Sequence, residues 1–316
     1  MHRPENKGEP VEPLIILSGP TAVGKTELSL SLAQAVGGEI ISADSMQVYC
    51  GMDIGTAKIP LSERKGIRHH LIDILDPDEP WDVSQFTTLA KEAIQKIRAC
   101  GHIPIVVGGT GFYIQALVKD ITFEEEPRDG YREQLEATPS DRLAEMLAAV
   151  DPASAASIPV GNRKRMIRAI EYEHYHGEPI SALNERQAAQ PSAYNCAYFV
   201  LTMDRAALYE RINERVNAMI REGLVDEVRE LLASGCREDS VAMQGLGYRQ
   251  MLPYLRGECS LEDATARIQL ETRHFAKRQM TWFRREKDVI FLDKDTKTEE
   301  ELLQTMLAIL REKNIL

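Results

Sequence analysis

Residues 14–26 read LIILSGPTAVGKT. Leu14, Ile15, Ile16 and Leu17 form an unbroken apolar run, the pattern of a strand buried on both faces of a parallel sheet. After the glycine-rich turn, Leu28, Leu32 and Val36 recur at helical spacing, and Gly37 with Gly38 stops the helix. Between strand and helix, Gly19, Gly24, Lys25 and Thr26 fit G-x-x-x-x-G-K-[ST]. Glycines at that spacing let main-chain N–H groups turn inward around a phosphate, and the helix presents its positive N-terminus to it. Lys25 adds a mobile charge, and the Thr26 hydroxyl suits a Mg²⁺ ligand. Gly19, Pro20, Thr21, Ala22, Val23, Gly24, Lys25 and Thr26 are therefore expected to hold phosphate groups.

Working outward, residues 39–42, 103–107, 197–201 and 289–292 read as further short strands between helices. Phe86, Leu89, Ala90, Ala93, Ile94 and Ile97 make a strong helical stripe ended by Cys100 and Gly101. This alternation predicts an α/β fold: a P-loop NTPase-like parallel sheet flanked by helices. The middle of the chain differs, with no convincing buried strand between residues 123 and 190. PSDRLAEMLAAVDP reads as a helix capped by Ser140 and stopped by Pro152; NRKRMIRAIEYEHYHG reads as a second helix ending at Gly177. QAAQPSAYN reads as a linker back to the sheet. The expected organisation is a core of residues 1–122 and 191–316 with a helical insertion domain at 123–190. Beyond Asp204, Leu208, Ile212, Val216, Met219 and Ile220 mark one helix. Leu261, Ala264, Ile268, Phe275 and Trp282 mark another of about 35 Å at 1.5 Å per residue, with Phe275 and Trp282 assigned to the core. Leu302, Leu303, Met306, Leu307 and Leu310 mark a docking helix after about residue 298. The polar, Pro-rich MHRPENKGEPVEP is read as a frayed tail and has no apolar segment of a secretory signal.

Apolar content of 43% and charged content of 28% suit a soluble globular protein, and no apolar run approaches a membrane span. Five scattered cysteines with no C-x-x-C argue against a zinc site or a disulfide framework and fit free thiols in a reducing cytoplasm. Net charge of −11 counts against nucleic-acid binding on average, but binding depends on local potential. Arg273, Lys277, Arg278, Arg284, Arg285 and Lys287 stand against only Glu286 in one run, and Arg163, Lys164, Arg165 and Arg168 form a second. Tyr248, Trp282 and Phe283 lie near these runs, and RNA bases stack on aromatic rings. His69 and His70, adjacent on a strand, point to opposite faces, which disfavours joint metal ligation.

A P-loop hydrolase normally carries an acid at the tip of its second core strand to help hold the metal. Here the strand IPIVVGGTG ends in Gly108, Gly109 and Thr110, with no acid and no residue placed to orient an attacking water. SADSMQVYCGMDIGTAK (residues 42–58), with GPTAVGKT and VVGGTGFY, closely resembles the tRNA dimethylallyltransferases. HHLIDILDP, RKRMIRAIE, GLGYRQ and TRHFAKRQMTWFR extend the resemblance, in family order, from about residue 14 to 293. It implies transfer of a dimethylallyl group from dimethylallyl diphosphate to N6 of the tRNA adenosine adjacent to the anticodon (position 37), with diphosphate as leaving group. On this likeness Asp44 is the general base, Lys25 and Thr26 with Mg²⁺ and Arg215 stabilise the leaving group, and Thr110 touches the target nucleotide or the reacting groups. Ser45, Met46 and Gln47 would contact the target base; an amide matches adenine's paired donor and acceptor. Arg132, Arg163, Lys164, Arg165, Gln244, Tyr248, Arg249, Lys277, Arg278 and Arg284 are the further tRNA-contact candidates. The resemblance is to the compact bacterial form, without the zinc-finger extension of some eukaryotic relatives, and a monomer is expected.

Three alternatives stand beside it. A P-loop small-molecule kinase predicts phosphoryl transfer from ATP, and the missing acid after Val107 counts against it. A prenyltransferase of free adenine nucleotides would not need the two basic runs. A non-catalytic RNA-binding protein would be indifferent to loss of Asp44.

Overall fold

The structure is a computed structural model describing residues 12–123, 126, 127 and 129–316; the tail expected at the N-terminus lies, through residue 11, outside the described residues. Strands β1 (Pro13–Ser18), β2 (Gly38–Ser42), β3 (His69–His70), β4 (Ile103–Gly108), β5 (Asn195–Thr202) and β6 (Val289–Asp293) form one parallel sheet in the order β3-β2-β4-β1-β5-β6. The helices are α1 (Lys25–Val36), α2 (Val83–Ala99), α3 (Gly111–Val118), α4 (Tyr131–Ala137), α5 (Ser140–Val150), α6 (Pro152–Ser157) and α7 (Arg163–His176). They continue as α8 (Ile180–Ala189), α9 (Arg205–Glu222), α10 (Leu224–Ala233), α11 (Tyr248–Leu255), α12 (Leu261–Phe283) and α13 (Glu299–Glu312). This is the P-loop NTPase-like α/β arrangement expected from the sequence.

β1 shows why its apolar run is unbroken. Leu14 and Ile16 enter the core on one face of the sheet, and Ile15 and Leu17 enter the core on the other; all four are completely buried. The helices follow their stripes. Phe86, Ala90, Ala93, Ile94 and Ile97 of α2 are buried, and Asp82 and Gln85 close a capping box at its start. Leu302, Met306 and Leu310 dock α13 under a second such box, made by Thr298 and Glu301. In the helical segment two boundaries differ from expectation. Ser140 is the first residue of α5 and makes no cap; Pro152 ends α5 but at once begins α6, where a proline needs no N–H. Asp151 caps α6 by accepting the N–H of Ser154.

The chain forms two compact units. One holds the sheet and comprises Ala193–Leu316 with the described residues up to Val118; the other is Lys119–Ser192. The second has its own small core of Leu135, Leu143, Leu147, Met166, Ile167, Ala169 and Ile170. All five cysteines are free thiols, Cys100 exposed and Cys236 buried. His70 and His102 both bind Glu39, at 2.6 and 2.5 Å, while His69 meets the Ile67 carbonyl. These are structural pairings, and among the described residues no group of three His, Cys, Asp or Glu could hold a metal. No described helix is long and apolar enough to cross a membrane.

Candidate active site

The exits of β2 and β4 set the site. Ala43 donates its N–H to the Val107 carbonyl at 2.8 Å and accepts the Thr110 N–H at 3.3 Å. Asp44 and Thr110 therefore leave the sheet from neighbouring backbone. The close approach requires glycine at 108, where a Cβ would lie 2.2 Å from the Ala43 carbonyl oxygen. No acid fits at position 108 for that reason, and the carboxylate at this edge comes from the next strand over, as Asp44. Its Oδ1 accepts the N–H groups of Met46 at 2.8 Å and Gln47 at 3.3 Å, and no described residue donates to its Oδ2. Gln47 is fixed at both ends of its amide: Oε1 accepts the Ser42 hydroxyl at 3.1 Å and Nε2 donates to the Thr56 carbonyl at 3.3 Å.

The phosphate loop faces this group across a cleft of about 310 Å³. Gly24 takes φ 92°, a left-handed turn that glycine adopts without strain, and begins α1. Of the predicted loop, Thr21, Ala22, Gly24, Lys25 and Thr26 line the cleft, and Val23 is buried beneath it. Gly19 and Pro20 turn their carbonyls to Lys25, whose Nζ donates to them at 2.9 and 2.8 Å. Burial, then the Arg215 charge, brings the Lys25 ammonium down to about 7, with Asp44 opposing. Arg215 lines the same cleft, makes no hydrogen bond to a described residue, and is likewise pushed down by burial. Arg211 joins it on the rim, its Nε donating to the Ala22 carbonyl at 3.0 Å. Lys25, Arg211 and Arg215 outnumber Glu27 and Asp44 along the wall when Lys25 is protonated, and an anion in the cleft favours that protonated form. A smaller recess of about 60 Å³ opens beside the cleft, sharing Thr21, Ala22, Thr56, Ala57 and Arg215 and lined further by Ile212, Val216, Met219, Leu246 and Ile268.

Of the cleft residues that the sequence did not single out, two hydrogen-bond to the phosphate loop, Gln279 and Arg211. Gln279 of α12 is 7% exposed; its Oε1 accepts the Thr21 N–H and its Nε2 donates to the Gly109 carbonyl, both at 2.9 Å. It thereby ties the phosphate loop to the exit of β4. The signal was present: Gln279 falls on the buried stripe of Ala264, Ile268, Thr272, Ala276 and Phe283, where a polar side chain needs a partner. Arg211 gave no such signal, being one of several charges on α9. Phe275, assigned to the core, instead lines the cleft, because α12 turns that edge of its stripe toward the opening. Thr110 is half-buried and starts α3 by accepting the N–H groups of Tyr113 and Ile114.

The candidate RNA contacts divide. Lys277, Arg278 and Arg284 are exposed on or just beyond α12, and the Arg278 guanidinium lies 5.7 Å over the Phe275 ring, at the cleft. Arg249 is exposed but paired with Glu271 at 2.7 Å, and exposed Gln244 donates to the Glu238 carbonyl. Ser45 is half-buried, and Met46 packs its sulfur where a Cβ on Gly245 would meet it at 2.8 Å. Tyr248 and Phe283 are corrections: both are completely buried and cannot stack a base. Their apolar neighbours on the buried faces of α11 and α12 draw the rings inward. In the helical unit Lys164 and Arg165 are exposed. Arg163 is committed to the Ser140 hydroxyl and the Glu136 carbonyl, and Arg132 to the buried Glu171 at 2.8 Å.

The IPP transferase family model matches residues 47–286. A tRNA dimethylallyltransferase of Lachnoclostridium phytofermentans is 52% identical over 312 residues, covering 97% of this chain and 100% of the relative. Among solved structures, the full-length tRNA isopentenylpyrophosphate transferase of Bacillus halodurans is 41% identical with a TM-score of 0.73, covering 96% of this chain and 98% of that one. A eukaryotic dimethylallyltransferase solved acting on tRNA has a TM-score of 0.81 at 30% identity, covering 95% of this chain and 79% of that one.

Proposed function

The chain belongs to the IPP transferase family, and from that premise we propose that it is a tRNA dimethylallyltransferase acting on N6 of the adenosine next to the anticodon (position 37). The observation that carries the reading is the placement of Asp44, at the exit of β2, in one cleft with the phosphate loop, where β4 has no room for an acid at position 108. The adenosine N6 lone pair attacks C1 of dimethylallyl diphosphate, the C1–O bond breaks, and diphosphate leaves with the electron pair. Asp44 takes the N6 proton through the oxygen that its turn leaves open. Loop N–H groups, Lys25 and Arg215 stabilise the charge that develops on the leaving group. The recess beside the cleft, with Ile212, Val216, Met219, Leu246 and Ile268 on its wall, suits the five-carbon chain. No phosphoryl group moves, so no residue is needed to orient an attacking water.

Mg²⁺ fits a site with one hydroxyl and few carboxylates, because it keeps waters and substrate phosphate oxygens as ligands. Thr26, exposed at the start of α1, would hold it, and the ion would neutralise diphosphate charge. The helical unit, through Lys164 and Arg165, and α12, through Lys277, Arg278 and Arg284, would hold the tRNA of a monomeric enzyme in the cytoplasm.

The test is mass spectrometry of anticodon stem-loop RNA incubated with the protein, Mg²⁺ and dimethylallyl diphosphate. One C₅H₈ unit gained on adenosine is expected; an unchanged mass overturns the reading. Unlabelled RNA should compete, while adenosine monophosphate should not. For the binding face, Arg278→Ala should weaken RNA affinity at every sequence. It should also flatten the slope of log affinity against log salt by about 0.7 for a single-strand phosphate contact. An unchanged slope would remove Arg278 from the RNA face.

A further inference from the structure

Glu227, in the first turn of α10, receives four hydrogen bonds. Its Oε2 accepts the N–H of Asp53 at 2.9 Å and of Ile54 at 2.7 Å. Its Oε1 accepts the N–H of Gly55 at 3.0 Å and the phenol of Tyr248 at 2.6 Å. Three successive main-chain donors converging on one anion form a nest, filled here by a side chain from a distant helix. Four donors require acceptors on both oxygens, which a carboxylate supplies and an amide does not. Tyr248 completes the clamp from below. It is fully buried, and Gly55 lies so close to its ring that a Cβ would come within 2.5 Å. Burial, with Glu227 beside it, holds the phenol in its protonated, donating form.

The same turn is closed at its other end. The Lys58 side chain, 3% exposed, donates to the Tyr49 carbonyl at 2.8 Å, to Asp53 at 2.7 Å and to Asp73 at 2.5 Å. Within the turn, Ala57 N–H meets the Ile54 carbonyl and Lys58 N–H meets the Asp53 carbonyl. What it carries faces the cleft: Thr56 and Ala57 line it, and the Thr56 carbonyl accepts from the Gln47 amide. None of these hydrogen bonds runs to the phosphate loop.

We propose that Glu227 and Tyr248 are positioning residues for the acceptor base. Their clamp fixes residues 53–57, which fix the Gln47 amide and so the orientation of the adenine it meets, separately from the diphosphate grip. The inference rests on the prenyl-transfer reading of the cleft, so wild-type transfer to the stem-loop RNA is measured first; failure there overturns that reading before any variant is compared. Full-length Glu227→Gln, Tyr248→Phe, Gln47→Ala and the Glu227→Gln/Gln47→Ala double variant are then assayed at saturating donor, alongside calorimetry with inorganic diphosphate. Glu227→Gln should lower kcat/KM for RNA about 10- to 100-fold, since it strips charge-assisted hydrogen bonds, and Tyr248→Phe should lower it less. Diphosphate affinity should stay within about twofold, and so should the KM for dimethylallyl diphosphate, which reports on the recess that Thr56 and Ala57 also line; Glu227→Gln should cost little more once Gln47 is alanine, because residues acting through one another are not additive. Unchanged RNA turnover, a parallel loss of diphosphate affinity, or full additivity in the double variant would each overturn the proposal. If Glu227→Gln does not fold, Tyr248→Phe, which keeps the carboxylate, decides it by the same measurements.

Discussion

Asp44→Asn is expected to lower prenyl transfer to RNA by about 10²–10⁴-fold, the usual worth of a positioned general base. Asparagine is the informative replacement because Asp44 does two things. Its Oδ1 caps the turn by accepting the N–H groups of Met46 and Gln47. An asparagine carbonyl keeps that cap while its amide cannot take a proton. Asp44→Ala removes cap and base together and should release the turn that carries Gln47 as well. Single-turnover transfer measured for both variants separates the two roles, with inorganic diphosphate affinity as the control. Equal, full activity of Asp44→Asn would remove Asp44 as the base. Loss of diphosphate affinity along with turnover would point instead to a collapsed cleft.

The order of strand, loop and helix could be read from residues 14–37 because each signal is local. An unbroken apolar run needs two buried faces, and Gly24 with Gly37 marks left-handed turns at the two ends of α1. Asp44 was legible only through the family-like stretch around it. Its chemical setting depends on the pairing of Ala43 with Val107 and Thr110, far along the chain. The missing acid at the tip of β4 was visible as an absence, and the want of room at Gly108 appears only in three dimensions. Tyr248 misled for a related reason. A tyrosine beside basic residues reads as a stacking platform, but the face of α11 on which it lies is settled by core packing and by Glu227, which no spacing reveals. The basic residues were easier to identify than to rank. Exposed Arg278 and Lys277 look in sequence like Arg163, whose guanidinium is spent on Ser140 and Glu136 within its own unit.

Lys25→Met should cost about 10²–10³-fold in kcat, as removal of a charge-stabilising donor at a leaving group does, and should weaken diphosphate binding as well. Methionine keeps the stem of the side chain and discards the charge. The wild-type lysine carries a second signature. Burial, and then Arg215, bring its ammonium down to about 7, far below the ordinary lysine value. The free site therefore holds a neutral amine over much of the range above pH 7, where the unfolded chain would still hold a proton. A bound diphosphate adds negative charge beside Nζ and favours the ammonium, so the bound pKa must rise. Binding then takes up a proton at pH values above about 7, and affinity falls as pH climbs from there toward the bound-state pKa. Below about pH 7 the amine is charged in both states and its contribution to the pH dependence vanishes. Titration calorimetry with inorganic diphosphate at about pH 8, in two buffers of different ionisation enthalpy, counts that proton directly. Uptake by the wild type is expected to exceed that by Lys25→Met by close to one proton. Equal uptake by both proteins would assign the titration to the diphosphate itself or to another group, and would leave Lys25 permanently charged in the free site.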